Sequence, residues 1–189
     1  RAPADGTRRM RFCPHARPMS ATAPPTVRRP ELLAPAGSLD MMRTAVNVFG
    51  DSCAAAVIAR FLKARGVRRV YALCGGHIMP LWMRLDAEGI RIVDVRDERA
   101  AVYMAHAEAQ LTGGLGVALV TAGPGVTNAM TGIANAHVAK ASVLVLSGLP
   151  PTPQENRGAL QDIVHTELVR SLTRYARTVR HPDLVPQEL

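Results

Sequence analysis

Residues 90 to 128 read as apolar strand, acidic turn, helix, apolar strand and glycine-rich turn: IRIVDVRDERAAVYMAHAEAQLTGGLGVALVTAGPGVTN. Two short β-branched runs joined through a helix-length segment imply a parallel crossover, which restricts the chain to the α/β class. Glu98 stands at the first of these turns. A carboxylate placed where a buried parallel strand hands over to a helix lies at the sheet edge where open α/β folds bind ligands.

The same alternation extends to both sides. Asp51 or Ser52 caps a helix through about Arg65, with Ala55, Ile58, Ala59 and Leu62 at helical spacing and Gly66 as its stop. A strand at 70–73 leads into Cys74, Gly75, Gly76 and His77, then a helix runs to about Glu88 and closes at Gly89. Strands at 90–95, 116–121 and 142–146 alternate with helices at 98–111 and from Gly123 to about Lys140. After the Pro-rich loop LPPTPQENRG come a helical stretch at 161–172, a strand at 174–179 and, in HPDLVPQEL, the opening of an element the sequence does not complete. The predicted fold is α/β: a three-layer, doubly wound, mostly parallel sheet with helices on both faces. A composition that is 48% hydrophobic but only 4% aromatic suits such thin helix-on-sheet layers better than a β-sandwich.

The flanks are less regular. Residues 1–29 hold seven arginines against Asp5 alone, so +6 of the net charge of +8 lies there and the rest is nearly neutral. With no period of 2 or 3.6, this stretch reads as a disordered basic extension, and a specific nucleic-acid role is not indicated. It is read either as an organelle transit peptide or as sequence upstream of an internal start such as Met19 or Met41. Residues 30–50, PELLAPAGSLDMMRTAVNVFG, read as a short helical junction beginning near Ser38, with Leu39, Met42, Ala45 and Val46 as its apolar face. The phrase PELLAPAGSLDMMRTAV resembles the opening of U32 peptidase-like proteins, a likeness that ends after about twenty residues and carries no site residue. Residues 51–189 then form the main domain. Cys13, Cys53 and Cys74 lack C-x-x-C spacing, which indicates neither a disulfide framework nor a zinc site and fits a reducing, cytoplasmic setting. No apolar run reaches the ~18 residues a spanning helix needs, so no membrane role is expected.

Each marked turn has a plain structural reading. Gly123, Pro124 and Gly125 lead to Asn128 where a dinucleotide fingerprint would place its third glycine, so on its own this is a turn with a glycine at positive φ. Its glycines would also let a flat ring approach the backbone beside free helical N–H groups. Glu98 would by default favour the helix dipole, His77 would be a loop histidine, and Gln161 alone says little.

Their order says more. The runs GGHIMPLW, IVDVRDERAAVYMAHAEAQLTG, GVALVTAGPGVTNAMTGIANAHVAKASVLVLSG and GALQD together resemble the pyrimidine-binding domain of thiamine-diphosphate enzymes. The likeness is greatest to the acetolactate synthase, benzaldehyde lyase and oxalyl-CoA decarboxylase branch, and it spans about residues 51–189. The resemblance implies that Glu98 hydrogen-bonds N1′ of the aminopyrimidine, favouring the imino tautomer that deprotonates the thiazolium. It implies further that Gly123, Pro124, Gly125, Asn128 and Gly76 border the cofactor, that His77 assists proton transfer on the substrate side, and that Gln161 belongs to the loop over the reacting centre.

One part of the family's pattern is missing. The family's Mg²⁺ and diphosphate are held by a second, pyrophosphate-binding domain with a G-D-G motif, and this sequence contains no G-D-G. The expectation is a thiamine-diphosphate-binding fragment or small subunit of an acetolactate synthase-like enzyme acting on 2-keto acids or acyloins. It would work in a homo- or hetero-oligomer with a pyrophosphate-binding partner, be inactive alone and ligate no metal itself. The alternative is a non-catalytic α/β interaction module or a truncated product lacking the pyrophosphate domain.

Overall fold

The expected alternation runs through the residues that the computed structural model describes, 43–48 and 52–189. In chain order the strands and α-helices are β1 (Arg43–Val48), α1 (Ser52–Ala64), β2 (Arg69–Ala72), α2 (Met79–Ala87), β3 (Arg91–Asp94), α3 (Glu98–Thr112), β4 (Gly116–Val120), α4 (Pro124–Val138), β5 (Val143–Gly148), α5 (His165–Val169), β6 (Tyr175–Val179) and α6 (Val185–Glu188). The strands form one sheet in the order β3-β2-β4-β5-β1-β6, and each neighbouring pair is parallel.

Because strand side chains alternate between faces, the central strands supply two cores. Val117, Leu119, Leu144 and Leu146 pack with Ile58 and Leu62 of α1, Leu85 of α2 and Val185 of α6. Ala118, Val120, Val143 and Val145 pack with Val102 and Ala105 of α3, Ile133 of α4 and Val169 of α5. The three-layer, doubly wound fold follows, and each fully buried Leu or Ile contributes about 1.5–3 kcal/mol of transfer free energy. Every residue of β4 and β5 is buried, so these strands read as continuous apolar runs rather than alternating ones.

Two stretches differ from the sequence-based expectation. The short helix expected within 30–50 is instead strand β1 over 43–48, lying between β5 and β6, so the sheet begins before residue 51. In RTAVNV, Thr44, Val46 and Val48 place a β-branched residue at every second position, and between two strand edges that spacing outweighs a weak helical pattern. The remainder of that segment and the basic stretch 1–29 lie outside the described residues. The helical stretch expected over 161–172 is confined to α5 and a 3-10 turn at Arg170–Leu172: Gln161 adopts φ +63, and Val164 before α5 has ψ +84, neither of them right-handed helical geometry.

The topology creates the crevice. β2 and β4 are neighbours, yet β2 feeds α2 on one face and β4 feeds α4 on the other, so their outgoing turns diverge at the carboxyl end of the sheet.

Close backbone contact sets the spacing of the α3 layer. A Cβ on Gly116 would lie 1.9 Å from the carbonyl oxygen of Ala105, and one on Gly132 would lie 2.7 Å from Cβ of Val102. Gly116→Ala is therefore expected to lower stability by about 1–3 kcal/mol, as overpacking against rigid backbone does. Urea unfolding of the two chains checks this, and an unchanged midpoint would refute the contact.

Candidate functional site

The acidic turn after β3 sorts its charges between surface and interior. Asp97 caps α3, accepting from the Arg99 N–H at 2.8 Å, and the Arg99 side chain grips the same carboxylate at 2.9 and 2.7 Å. Hydrogen bonding to the Arg99 guanidinium lowers the Asp97 pKa to about 2. Arg96 pairs likewise with Asp94 at 2.6 Å. Glu98 turns inward and is only 7% exposed. Its Oε2 accepts from Asn128 Nδ2 of α4 at 3.1 Å, and among the described residues no cation pairs with it. A buried carboxylate is thus held by a neutral amide at the start of a helix.

The glycine turn lies against that carboxylate. Gly123 has φ +62 and ψ −115, the positive-φ geometry expected of it, and Pro124 opens α4. A Cβ on Gly125 would sit 3.6 Å from Glu98 Oε1 and 2.9 Å from Thr121 Cγ2. One on Gly123 would meet the Gln161 Cβ at 2.7 Å, so the loop after β5 folds back onto this turn. Thr121 Oγ1 and Gln161 Oε1 are 3.5 Å apart.

The β2 turn completes the group. Gly75 packs on Thr121, where an added Cβ would lie 2.4 Å from the threonine Cβ. Gly76, which begins a 3-10 turn, has nothing within 4 Å of that position, so Gly75 rather than Gly76 makes the close approach. The His77 backbone and Cβ lie against Gly148 at the end of β5, and its Nδ1 is buried without a hydrogen-bond partner among the described residues. Glu98, Asn128 and Gly125 are therefore in one cluster, Gln161 joins it through Gly123, and His77 flanks it across the ends of β4 and β5.

Sequence reasoning missed three residues here. His165, at the start of α5, is 1% exposed and accepts the Gly123 N–H through Nε2 at 2.7 Å. Burial lowers its pKa from 6.5 to about 4, the charge of His77 adds to that, and Asp162 opposes it. Ser147 donates to the Thr121 carbonyl at 3.1 Å, and Thr121 is the surface on which both Gly75 and Gly125 pack. The only sequence signal was a lone histidine in DIVHTELV, whose partner is 42 residues away.

Chemically, the cluster offers a buried carboxyl for sharing a proton and glycine backbone that a flat ring can approach. Clefts of about 290 and 240 Å³ open elsewhere, around Arg65, Arg69, Glu108 and Thr112 at the amino ends of the strands. They lack the convergence of turns seen at the carboxyl ends, which is where parallel sheets bind ligands. Among the described residues, no group of three or more His, Cys, Asp and Glu is placed to hold a metal, and no helix is long and apolar enough to cross a membrane.

A doubly wound parallel sheet whose switch-point turns surround a buried glutamate defines a cofactor-binding domain of the α/β class. Residues 53–168 match the thiamine pyrophosphate enzyme N-terminal TPP binding domain family, and the chain belongs to that family. It is 48% identical over 130 residues to 2-hydroxyacyl-CoA lyase 2 of Bos taurus, covering 68% of this chain and 21% of that protein. Identity to the Mus musculus 2-hydroxyacyl-CoA lyase 2 is 47% over 145 residues, covering 76% and 22%. Acetolactate synthase large subunit IlvG of Mycobacterium tuberculosis is 39% identical over 127 residues, covering 67% and 23%. The chain thus spans about a fifth of the length of these curated relatives.

The His165 pKa fixes a pH dependence. A histidine whose folded pKa lies below its unfolded one binds fewer protons when folded, so its stabilising effect is complete above about 6.5 and is lost as pH falls toward about 4. His165→Gln keeps an acceptor but cannot titrate. Its melting temperature is expected to fall less than that of the unsubstituted chain over this window, and parallel curves from pH 7 to 4 would contradict the assignment.

Proposed function

We propose that Glu98, Asn128 and the Gly123 to Gly125 turn form the aminopyrimidine-facing half of a thiamine-diphosphate site. The enzyme it belongs to would make or break a carbon–carbon bond beside a carbonyl. The carrying observation is the buried Glu98 carboxylate, which has a neutral amide partner and lies against Gly125.

The residues fit the group. An aminopyrimidine is flat and carries a basic ring nitrogen, and the Gly125 position offers a face without a side chain next to a carboxyl oxygen. Thiamine diphosphate, when bound, supplies a nucleophilic carbon that adds to carbonyls and takes up the charge left by bond cleavage. Glu98 would hold a proton at the ring nitrogen, and Asn128 would fix the carboxyl so that Oε1 faces the ring. The nearby Arg96 and Arg99 form their ion pairs with Asp94 and Asp97, and among the described residues none is formed with Glu98. His77 would serve proton transfer to substrate with its unpartnered Nδ1, while Gln161 would cover the reacting centre.

The diphosphate and Mg²⁺ would be held by a pyrophosphate-binding domain, on the same or another polypeptide. The relatives' names, a 2-hydroxyacyl-CoA lyase and an acetolactate synthase, support a 2-hydroxyacyl-CoA as substrate or acetolactate as product, and the sequence resemblance adds 2-keto acids. Tyr103, Met104 and Leu111 of α3 and Val138 of α4 are exposed apolar side chains that a subunit contact in a homo- or hetero-oligomer would cover. The same side chains support the second reading, a docking module without catalysis. A cytoplasmic location is proposed on cysteine usage alone.

The test supplies the chain with a pyrophosphate domain from a relative, thiamine diphosphate and Mg²⁺. Turnover of a 2-keto acid or 2-hydroxyacyl-CoA is expected, and Glu98→Gln should reduce it by roughly 10²–10⁴-fold, the range for a lost acid–base group. Equal rates in the two chains would sink the assignment. Complex formation without turnover in either would favour the docking module.

A further inference from the structure

The glycine turn is held from several sides. Gly123 sits at φ +62 and ψ −115, a conformation open to glycine but not to L side chains, and three contacts converge on it. Its N–H is donated to His165 Nε2 at 2.7 Å, its α-carbon lies under Gln161, and its carbonyl accepts the first N–H groups of α4 from Val126 at 3.0 Å and Thr127 at 3.2 Å. The last of these belongs to the helix. The first two come from the segment after β5, which runs through the Pro-rich loop to α5.

We propose that His165 is a positioning residue for the cofactor-facing turn: its neutral imidazole clamps Gly123 and Gln161 together, and protonation releases both. The logic lies in the donor and acceptor roles. Nε2 accepts a hydrogen bond only while it carries no proton, so the neutral ring must have its proton on Nδ1. A charged ring has N–H groups at both nitrogens, and Nε2 would then point a donor at the Gly123 N–H, a pairing that cannot persist. Since His165 is 1% exposed, no water replaces the lost acceptor without movement of α5 or of the turn. Gln161, four residues before His165 and seated on Gly123, moves with it.

The charges around the ring act in both directions. His77, from the β2 turn, disfavours a second positive charge, while Asp162, in the loop before α5, favours one. α5 packs on α4, β6 and β1. On β6, Arg177 is engaged with the Tyr175 ring and with Glu188, and on α4 the titratable His137 lies at the far end of the helix from Gly123. Burial and His77 together place the release near pH 4, so the clamp stays closed at neutral pH and opens only under acid. This inference deepens the proposed function, on which its cofactor-facing sense rests, but the clamp itself needs no cofactor.

Nitrogen-15 NMR of the full 189-residue chain without ligand tests it. At pH 7 the His165 ring should show the tautomer protonated at Nδ1, a nitrogen–nitrogen coupling across the bond to the Gly123 amide, and slow exchange of that amide. As pH falls, the coupling should vanish and the Gly123 and Gln161 amides should shift with one midpoint near 4. His165→Leu should lack the coupling at every pH and shift both amides at pH 7, with the Val117 to Val120 amides unmoved. His165→Gln should hold the pH 7 positions of both amides down to pH 4, which loss of folding would not mimic. Titration of His165 near 6.5 with the Gly123 amide unmoved, or a Gln161 amide indifferent to His165→Leu, would overturn the proposal. Because no readout involves thiamine diphosphate, failure of the clamp and failure of the cofactor assignment are separate results.

Discussion

Where β4 begins, one added carbon on Gly116 would collide with the carbonyl of Ala105, and where α3 crosses α4, one on Gly132 would collide with Val102. The same demand recurs at the other end of the sheet, where Gly75, Gly123, Gly125 and Gly148 each receive a neighbour at a distance no Cβ permits. Absent side chains thus set how closely the layers and turns approach. A thin layer rich in alanine follows from it: Ala101, Ala105 and Ala109 of α3 and Ala129 and Ala136 of α4 are all buried. Close approach is also what carries Glu98, on α3, to within hydrogen-bonding distance of Asn128, on α4.

Neighbouring acids in the turn after β3 take different tasks for a geometric reason. An extended backbone at Asp97 directs its carboxylate to the helix N-terminus and to Arg99, both at the surface. One residue later the chain has entered the helix, and the next side chain points into the layer between α3 and α4. The surface pairs consume the arginines, so the interior carboxylate keeps a neutral partner. Such surface pairs add little stability.

Much of the fold was legible because its strands are continuous apolar runs and its helices stop at glycines; Gly66, Gly89 and Gly113 each take positive φ beyond a helix end. β1 was not legible, since a six-residue strand made by pairing on both sides announces itself only by alternate β-branching. At the site, Glu98, Gly123, Gly125 and Asn128 were legible as a motif set, and the structure adds their contacts. His165 was not, because its meaning depends on a backbone N–H 42 positions away that no local pattern encodes. Of the two adjacent glycines after β2, Gly75 packs on Thr121 and Gly76 faces open space, a difference that the sequence alone does not encode.

The segment between β5 and α5 has a property of its own. Both of its ends are anchored, in the sheet at Gly148 and at the buried His165, while its middle is tied by the exposed pair of Glu155 with Arg180 and leaves Leu160 in solvent. Little apolar area is buried along its middle, so its hold on the cradle rests on the contacts of Gln161 and His165 with Gly123. Gln161 travels on that segment. The domain therefore combines a close-packed cradle with an arch that touches it at a few points.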